Sequence, residues 1–342
     1  IAQVCPPWLA VPPKGYGGIE WVVALLADGL AEAGHEVTLF ATGDSISKAN
    51  LENALEEAPG STLINDPILD TTHTLFALRD ARERFDVLHV HTPFSAFAAA
   101  IETGVPTVHT LHGSFTPAMT RLYSLAADRA WYVAISEAQR RIGPDLRYAG
   151  VVHNGIDMDA YPLGETTDDF VLFLGRAAPE KGWHRAIETA KLAGKKLVSA
   201  VKIAHPTEVE EWKTNIEPVL PADFDVLGEI GHEEKVDLLQ RAQALLFPID
   251  WPEPFGLVMA EAMACGTPVI GTPRGSVPEV IDHGVTGWIV DVDGYPEEAA
   301  RLLDRLDEID PLACRDRVER RFSKRAMVEG YERVFELAVA GA

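Results

Sequence analysis

The chain has 342 residues, 47% of them hydrophobic, and carries 52 acidic residues against 30 Lys and Arg, a net charge of −22. That length exceeds what one hydrophobic core usually supports, so two domains are predicted. Residues 1–163 hold 10 basic and 19 acidic groups and the remainder 20 and 33, so neither half offers the basic footprint that nucleic acid or an anionic lipid surface requires.

No apolar run approaches membrane-spanning length, which argues against integral membrane association. The opening Ile1-Ala-Gln-Val reads as a buried first strand without a charged leader, and the missing initiator Met suggests that a few residues are absent. Cys5, Cys265 and Cys314 are odd in number and far apart, which favours packing roles in a reducing compartment over disulfides or zinc. A cytoplasmic enzyme is the expectation.

Strand and helix signals alternate through both halves, predicting two Rossmann-like doubly wound α/β domains that face a central cleft. The expected bounds are 1–163, 164–323 and a C-terminal helix at 324–342 that returns to the first domain, with a link near 161–169. First-half strands are predicted at residues 1–4, 36–41, 87–91, 107–111, 131–135 and 151–153. Between the first two, Ile19, Val22, Val23, Leu26 and Leu30 share one helical face that stops at Gly34. Second-half strands are predicted at 170–174, 197–201, 244–248, 269–271 and 288–290. Ligands of such sheets bind beyond the carboxyl ends of the strands, so the loops there carry the chemistry.

The first such loop, Gly15-Tyr-Gly-Gly18, resembles a dinucleotide-binding turn but has Glu20 where the third glycine belongs. A carboxylate there crowds the helix–strand contact and repels a pyrophosphate, which argues against a nicotinamide enzyme. His91 and His112 each end a strand, whereas His89 and His109 fall within strands and read as core residues. In Leu174-Gly-Arg-Ala-Ala-Pro-Glu-Lys-Gly182, Arg176 and Lys181 lie at the start of a helix, where cations oppose the dipole. A bound phosphate would reverse that conflict. The triplets Asp157-Met-Asp159, Asp223-Phe-Asp225 and Asp291-Val-Asp293 are expected by chance among 52 acids and are assigned to no metal.

The most telling stretch is Glu253-Pro-Phe-Gly-Leu-Val-Met-Ala-Glu261. A helix is predicted to start near Gly256, so the amides of Phe255, Gly256, Leu257 and Val258 form a site for an anion. Glu261, one turn up, is placed to accept from ribose hydroxyls, and Glu253, ahead of the helix, to meet sugar hydroxyls.

Together with Pro12-Pro-Lys-Gly-Tyr-Gly-Gly18, His112-Gly113 and Asn154-Gly-Ile-Asp157, these motifs resemble family 4 of the retaining glycosyltransferases, which have the GT-B fold. The resemblance implies a nucleotide-diphosphate sugar donor, UDP-sugar favoured and GDP-sugar possible, and a sugar or small-metabolite acceptor. It implies front-face transfer in which the departing phosphate oxygen helps deprotonate the acceptor hydroxyl. Arg176 and Lys181 would hold the diphosphate, and His112 would contact the donor sugar with Glu253, these four being the candidate catalytic residues. Gly17 and Gly18 would offer amides to the diphosphate or acceptor, and His91 would serve the acceptor. No cofactor and no metal are expected, since cations and helix tips can stabilise the leaving diphosphate. An epimerase or phosphorylase on the same fold, and a non-catalytic nucleotide-sugar-binding protein, are the alternatives. Two departures from the family pattern are Lys202-Ile-Ala-His205-Pro, where a glycine turn is usual, and Pro248-Ile-Asp-Trp251, where Pro-Ser is usual.

Overall fold

The computed structural model describes all residues except Tyr16, Ser61, Thr62, Asn65, Pro93, Phe94, Ala204 and Ala342. Tyr16 of the glycine loop and Ala204 of the 202–206 turn therefore lie outside the described residues. The chain divides into two compact units, Ile1–Ile156 with Ser323–Ala342, and Asp157–Phe322. The division precedes the predicted 161–169 link. Residues ahead of that stretch are already built into the second unit: Arg315 donates to the carbonyl of Met158 at 3.2 Å, as well as to those of Tyr161 and Ala264, each at 2.7 Å.

The first unit holds seven parallel strands: β1 (Ala2–Val4), β2 (Thr38–Phe40), β3 (Asn50–Glu52), β4 (Leu88–Val90), β5 (Thr107–Leu111), β6 (Trp131–Ala134) and β7 (Tyr148–Val151), in the order β3-β2-β1-β4-β5-β6-β7. The second holds six: β8 (Phe170–Arg176), β9 (Lys196–Lys202), β10 (Asp225–Val226), β11 (Leu245–Phe247), β12 (Val269–Gly271) and β13 (Gly287–Ile289), in the order β10-β9-β8-β11-β12-β13. Each sheet runs outward from its first strand in two directions, so each has a switch point: β1 beside β4, and β8 beside β11. Parallel strands need long crossovers, and the helices that supply them cover the sheet faces, which is why Phe170 to Leu174 are all buried.

Three strands differ from expectation. β7 lies about three residues earlier than the predicted 151–153, and β3 and β10 were not foreseen. β3 and β10 are edge strands of three and two residues; they pair through backbone alone and carry no apolar run to reveal them.

The Lys324–Ala340 helix packs on the first unit. Glycines permit the approach: a Cβ on Gly29 would lie 2.5 Å from Val328, and one on Gly330 2.8 Å from Val152. Lys324 adds an ion pair with Glu32 at 2.9 Å, and the Thr110 and Tyr331 hydroxyls hydrogen-bond at 2.8 Å beneath the helix. Among the described residues, no helix is long and apolar enough to cross a membrane.

Candidate active site

In the second unit, the loops leaving β8 and β11 flank the switch point. Arg176 ends β8, and the chain then turns through Pro179–Lys181 into the Trp183–Ala193 helix. Gly182 makes that turn with φ 74°, and a Cβ there would lie 2.0 Å from the Pro248 carbonyl oxygen. The two loops are laced together: the Asp250 amide donates to the Glu180 carbonyl at 2.8 Å, and Arg185 to that of Pro248 at 3.3 Å. Gly182→Ala is expected to destabilise the second unit by about 1–2 kcal/mol or more, through backbone strain plus the clash. Gly194→Ala, at φ 62° with nothing within 4 Å, bears only the strain. Urea unfolding of both variants measures the difference, and equal losses would remove the packing role.

This lacing brings Lys181 onto Glu253, Nζ to Oε2 at 2.5 Å. Trp251 donates from Nε1 to the same carboxylate oxygen at 3.0 Å, and its ring lies 4.5 Å from the Lys181 ammonium. A third loop fixes Glu253 from behind. The Ser276 amide donates to the Glu253 carbonyl at 2.9 Å and its hydroxyl to that of Phe255 at 2.7 Å. Gly256, at φ 76°, then turns the chain into the Leu257–Ala264 helix, whose first amides have no intrahelical acceptor.

Glu261, one turn into that helix, is 8% exposed. Its Oε1 accepts from the Tyr161 hydroxyl and from Lys235 Nζ, each at 2.7 Å. Burial, and then the Glu261 charge, push the Tyr161 phenol far above its usual range, so Tyr161 is a fixed donor at neutral pH. Arg176 pairs at 2.6 Å with Glu208 and at 3.5 Å with Glu180. Glu208 is 2% exposed and also accepts from the His205 amide, capping the Pro206–Glu211 helix. The described residues thus bring Lys181 together with Glu253 and place Arg176 on Glu208.

In the first unit, Gly17 caps the Gly18–Glu32 helix, and a Cβ on it would press on Pro13 at 2.7 Å and on Glu20 at 3.0 Å. Burial raises the Glu20 carboxyl above its ordinary value. His112 follows β5, and its loop is clamped by Gln139, which donates to the carbonyls of Leu111 and Gly113 at 2.7 and 2.9 Å. His112 Nε2 lies 2.9 Å from His91 Nδ1. His91 is buried and its Nε2 lies 2.8 Å from Gln3 Oε1, so both its nitrogens are occupied within the fold and it can reach a ligand only through His112. His89 bonds to Thr110, and His109 to Val90 and Tyr123, all in the core. Among the described residues, no group of three or more His, Cys, Asp or Glu side chains is arranged to hold a metal ion.

Residues 16–160 match the family model described as Glycosyltransferase Family 4, and residues 160–326 the one described as Glycosyl transferases group 1. The chain belongs to the family 4 glycosyltransferases. This glycosyltransferase is 28% identical over 363 aligned residues to the glycogen synthase of Mycobacterium tuberculosis, covering 90% of this chain and 86% of that one. It is 29% identical over 343 residues to the phosphatidyl-myo-inositol mannosyltransferase of Mycolicibacterium smegmatis, covering 90% and 85%. Among solved structures it resembles AviGT4, a glycosyltransferase involved in avilamycin A biosynthesis, at 28% identity and a TM-score of 0.75 over 100% and 98% of the two chains. The fold is GT-B, and the chain is an enzyme.

Residues that sequence reading missed in this glycosyltransferase are Trp251, Glu208, Tyr161, Lys235 and Gln139. Trp251, two positions before Glu253 in an altered motif, carried a signal in its departure from Pro-Ser. Glu208, one of several nearby acids, carried none.

Proposed function

We propose that this enzyme is a retaining glycosyltransferase that moves a sugar from a nucleotide-diphosphate donor to an acceptor hydroxyl without a resident metal. The observation that carries the reading is the convergence, at one switch point, of Lys181, Glu253 and the amino end of the Leu257–Ala264 helix, with Glu261 one turn further on. In this reading the Phe255 to Val258 segment and Lys181 receive the diphosphate, whose negative charge grows as the glycosidic bond breaks. Arg176 adds charge from the end of β8, and Glu261 takes the ribose through Oε2, its Oε1 being held by Tyr161 and Lys235. Glu253 and His112 hold the sugar, Gly17 and Gly18 present amides, and the departing phosphate oxygen takes the acceptor proton. The diphosphate would share each cation with the carboxylate already on it.

Incubation with UDP- and GDP-activated hexoses and an acceptor panel tests the reading, with product anomers assigned by NMR. Retention of the donor configuration is expected. Inversion would overturn the mechanism, and isomerised donor without transfer would favour an epimerase. Activity is expected to survive EDTA, because cations and helix amides supply the positive potential; complete loss of the chemical step, restored by magnesium, would overturn metal independence.

A further inference from the structure

His91 ends β4 with both nitrogens committed inside the protein, and the direction of those bonds has a consequence for His112. Gln3, on β1, is 0% exposed, and its Oε1 faces His91 Nε2 at 2.8 Å. The Gln3 amide nitrogen is buried and meets no hydrogen-bond partner among the described residues, so the side chain is engaged through its oxygen; an amide oxygen only accepts, and in this orientation His91 Nε2 carries the hydrogen. A neutral imidazole has one N–H, which leaves His91 Nδ1 as a bare lone pair, 2.9 Å from His112 Nε2. His112 Nε2 must therefore donate. Both rings are neutral near pH 7: burial, reinforced by the neighbouring histidines, holds His91 well below its usual value, and burial brings His112 down to about 4. The remaining nitrogen, His112 Nδ1, is then an acceptor with no proton of its own.

We infer that Gln3 and His91 are positioning residues that lock His112 in its Nε2–H form, so that its Nδ1 accepts a hydrogen bond from a hydroxyl of the donor sugar and refuses a group that has no hydrogen to give. The inference rests on the reading, implied by the family resemblance, that His112 contacts the primary hydroxyl of the donor sugar. It selects a substrate class: a hexose bearing a free hydroxyl at that position is taken, and its uronate counterpart, which brings only carboxylate lone pairs, is rejected. The mismatch sets lone pair against lone pair, and discrimination of roughly 10- to 100-fold in kcat/KM is expected.

Nitrogen-15 spectra of the full chain with ring-labelled histidine, with the His112 signals assigned by their loss in His112→Asn, report the tautomer directly. A protonated Nε2 and bare Nδ1 on His112 are expected, with the same form on His91. In Gln3→Met, which keeps the bulk and removes the acceptor, His91 is released, and mixed tautomers on both rings are expected. That variant should lose roughly tenfold in sugar transfer, about one neutral hydrogen bond, with affinity for the nucleotide diphosphate unchanged. A proton on His112 Nδ1 in the wild type would overturn the inference, and this measurement stands even if Gln3→Met does not fold. UDP-glucose and UDP-glucuronate used equally well would overturn the selectivity. If His112→Asn transferred sugar at the wild-type rate, the underlying sugar-contact reading would fall, whatever the tautomer.

Discussion

Lys181→Ala is expected to slow sugar transfer by about 10²–10³-fold, because the ammonium acts on charge that grows in the transition state. The loss should fall on kcat at saturating donor more than on affinity for the nucleotide diphosphate. Lys181 also neutralises Glu253, whose side chain is 11% exposed, so the variant leaves a largely desolvated carboxylate that keeps, among the described residues, the Trp251 Nε1 donor. Arg176→Ala removes the cation beside a carboxylate that is 2% exposed, and it should cost stability as well as rate. Stopped-time assays with calorimetric titration of nucleotide diphosphate separate the two effects. Turnover of Lys181→Ala within a few-fold of wild type would remove Lys181 from the chemistry.

The first unit is expected to lose stability as pH falls from about 6.5 toward 4. His73 is 1% exposed, neither ring nitrogen meets a hydrogen-bond partner of normal geometry, and burial brings its value to about 4, only partly offset by the Cys5 backbone and the Asp70 charge. His109 is 0% exposed, and burial lowers it to about 3, partly offset by its bond to Val90. Both values are depressed, so above 6.5 the folded and unfolded chains bind equal numbers of protons and the full stability is present. Below 6.5 the unfolded chain takes up protons that the folded one refuses, and stability falls until the folded values are reached. At about 1.4 kcal/mol for each pH unit of depression, each histidine removes on the order of 3 kcal/mol, against roughly 5–15 kcal/mol for a whole domain. Tryptophan fluorescence during urea unfolding at pH 8, 6 and 5 follows this. His73→Leu should flatten the dependence, since the apolar side chain has no site to protonate. A midpoint that stayed constant or rose between pH 8 and 5 would show that these histidines do not govern acid stability.

What the sequence by itself determined is what is local. The helix beginning at Leu257 was legible because Gly256 and the apolar spacing act within two turns, and that register is what separates Glu253 from Glu261 by a turn of helix. The interior strands β5 and β12 were read to the residue, because both are rich in β-branched residues and each follows a Gly-Pro turn signal, Gly104 and Pro106 before β5 and Gly266 and Pro268 before β12. The histidines after β4 and β5 fell at carboxyl ends for the same reason. Edge strands β3 and β10 escaped notice because neither carries an apolar run, whereas edge strand β13, with Trp288 and Ile289, was legible.

Partner choice among charged and polar groups belonged to the tertiary structure. Arg176 and Lys181 looked equivalent in sequence, yet the fold gives one to Glu208, 32 positions away, and the other to Glu253, 72 positions away. Nothing in residues 1–10 marks Gln3 as the acceptor that faces His91, 88 positions on. Helix and strand periodicity constrain side chains a few residues apart, while hydrogen bonds and ion pairs have ranges of a few ångströms that only sheet order can bring within reach. The sequence therefore determined which loops carry the chemistry, and the order in which the strands pair decided which atoms in those loops meet.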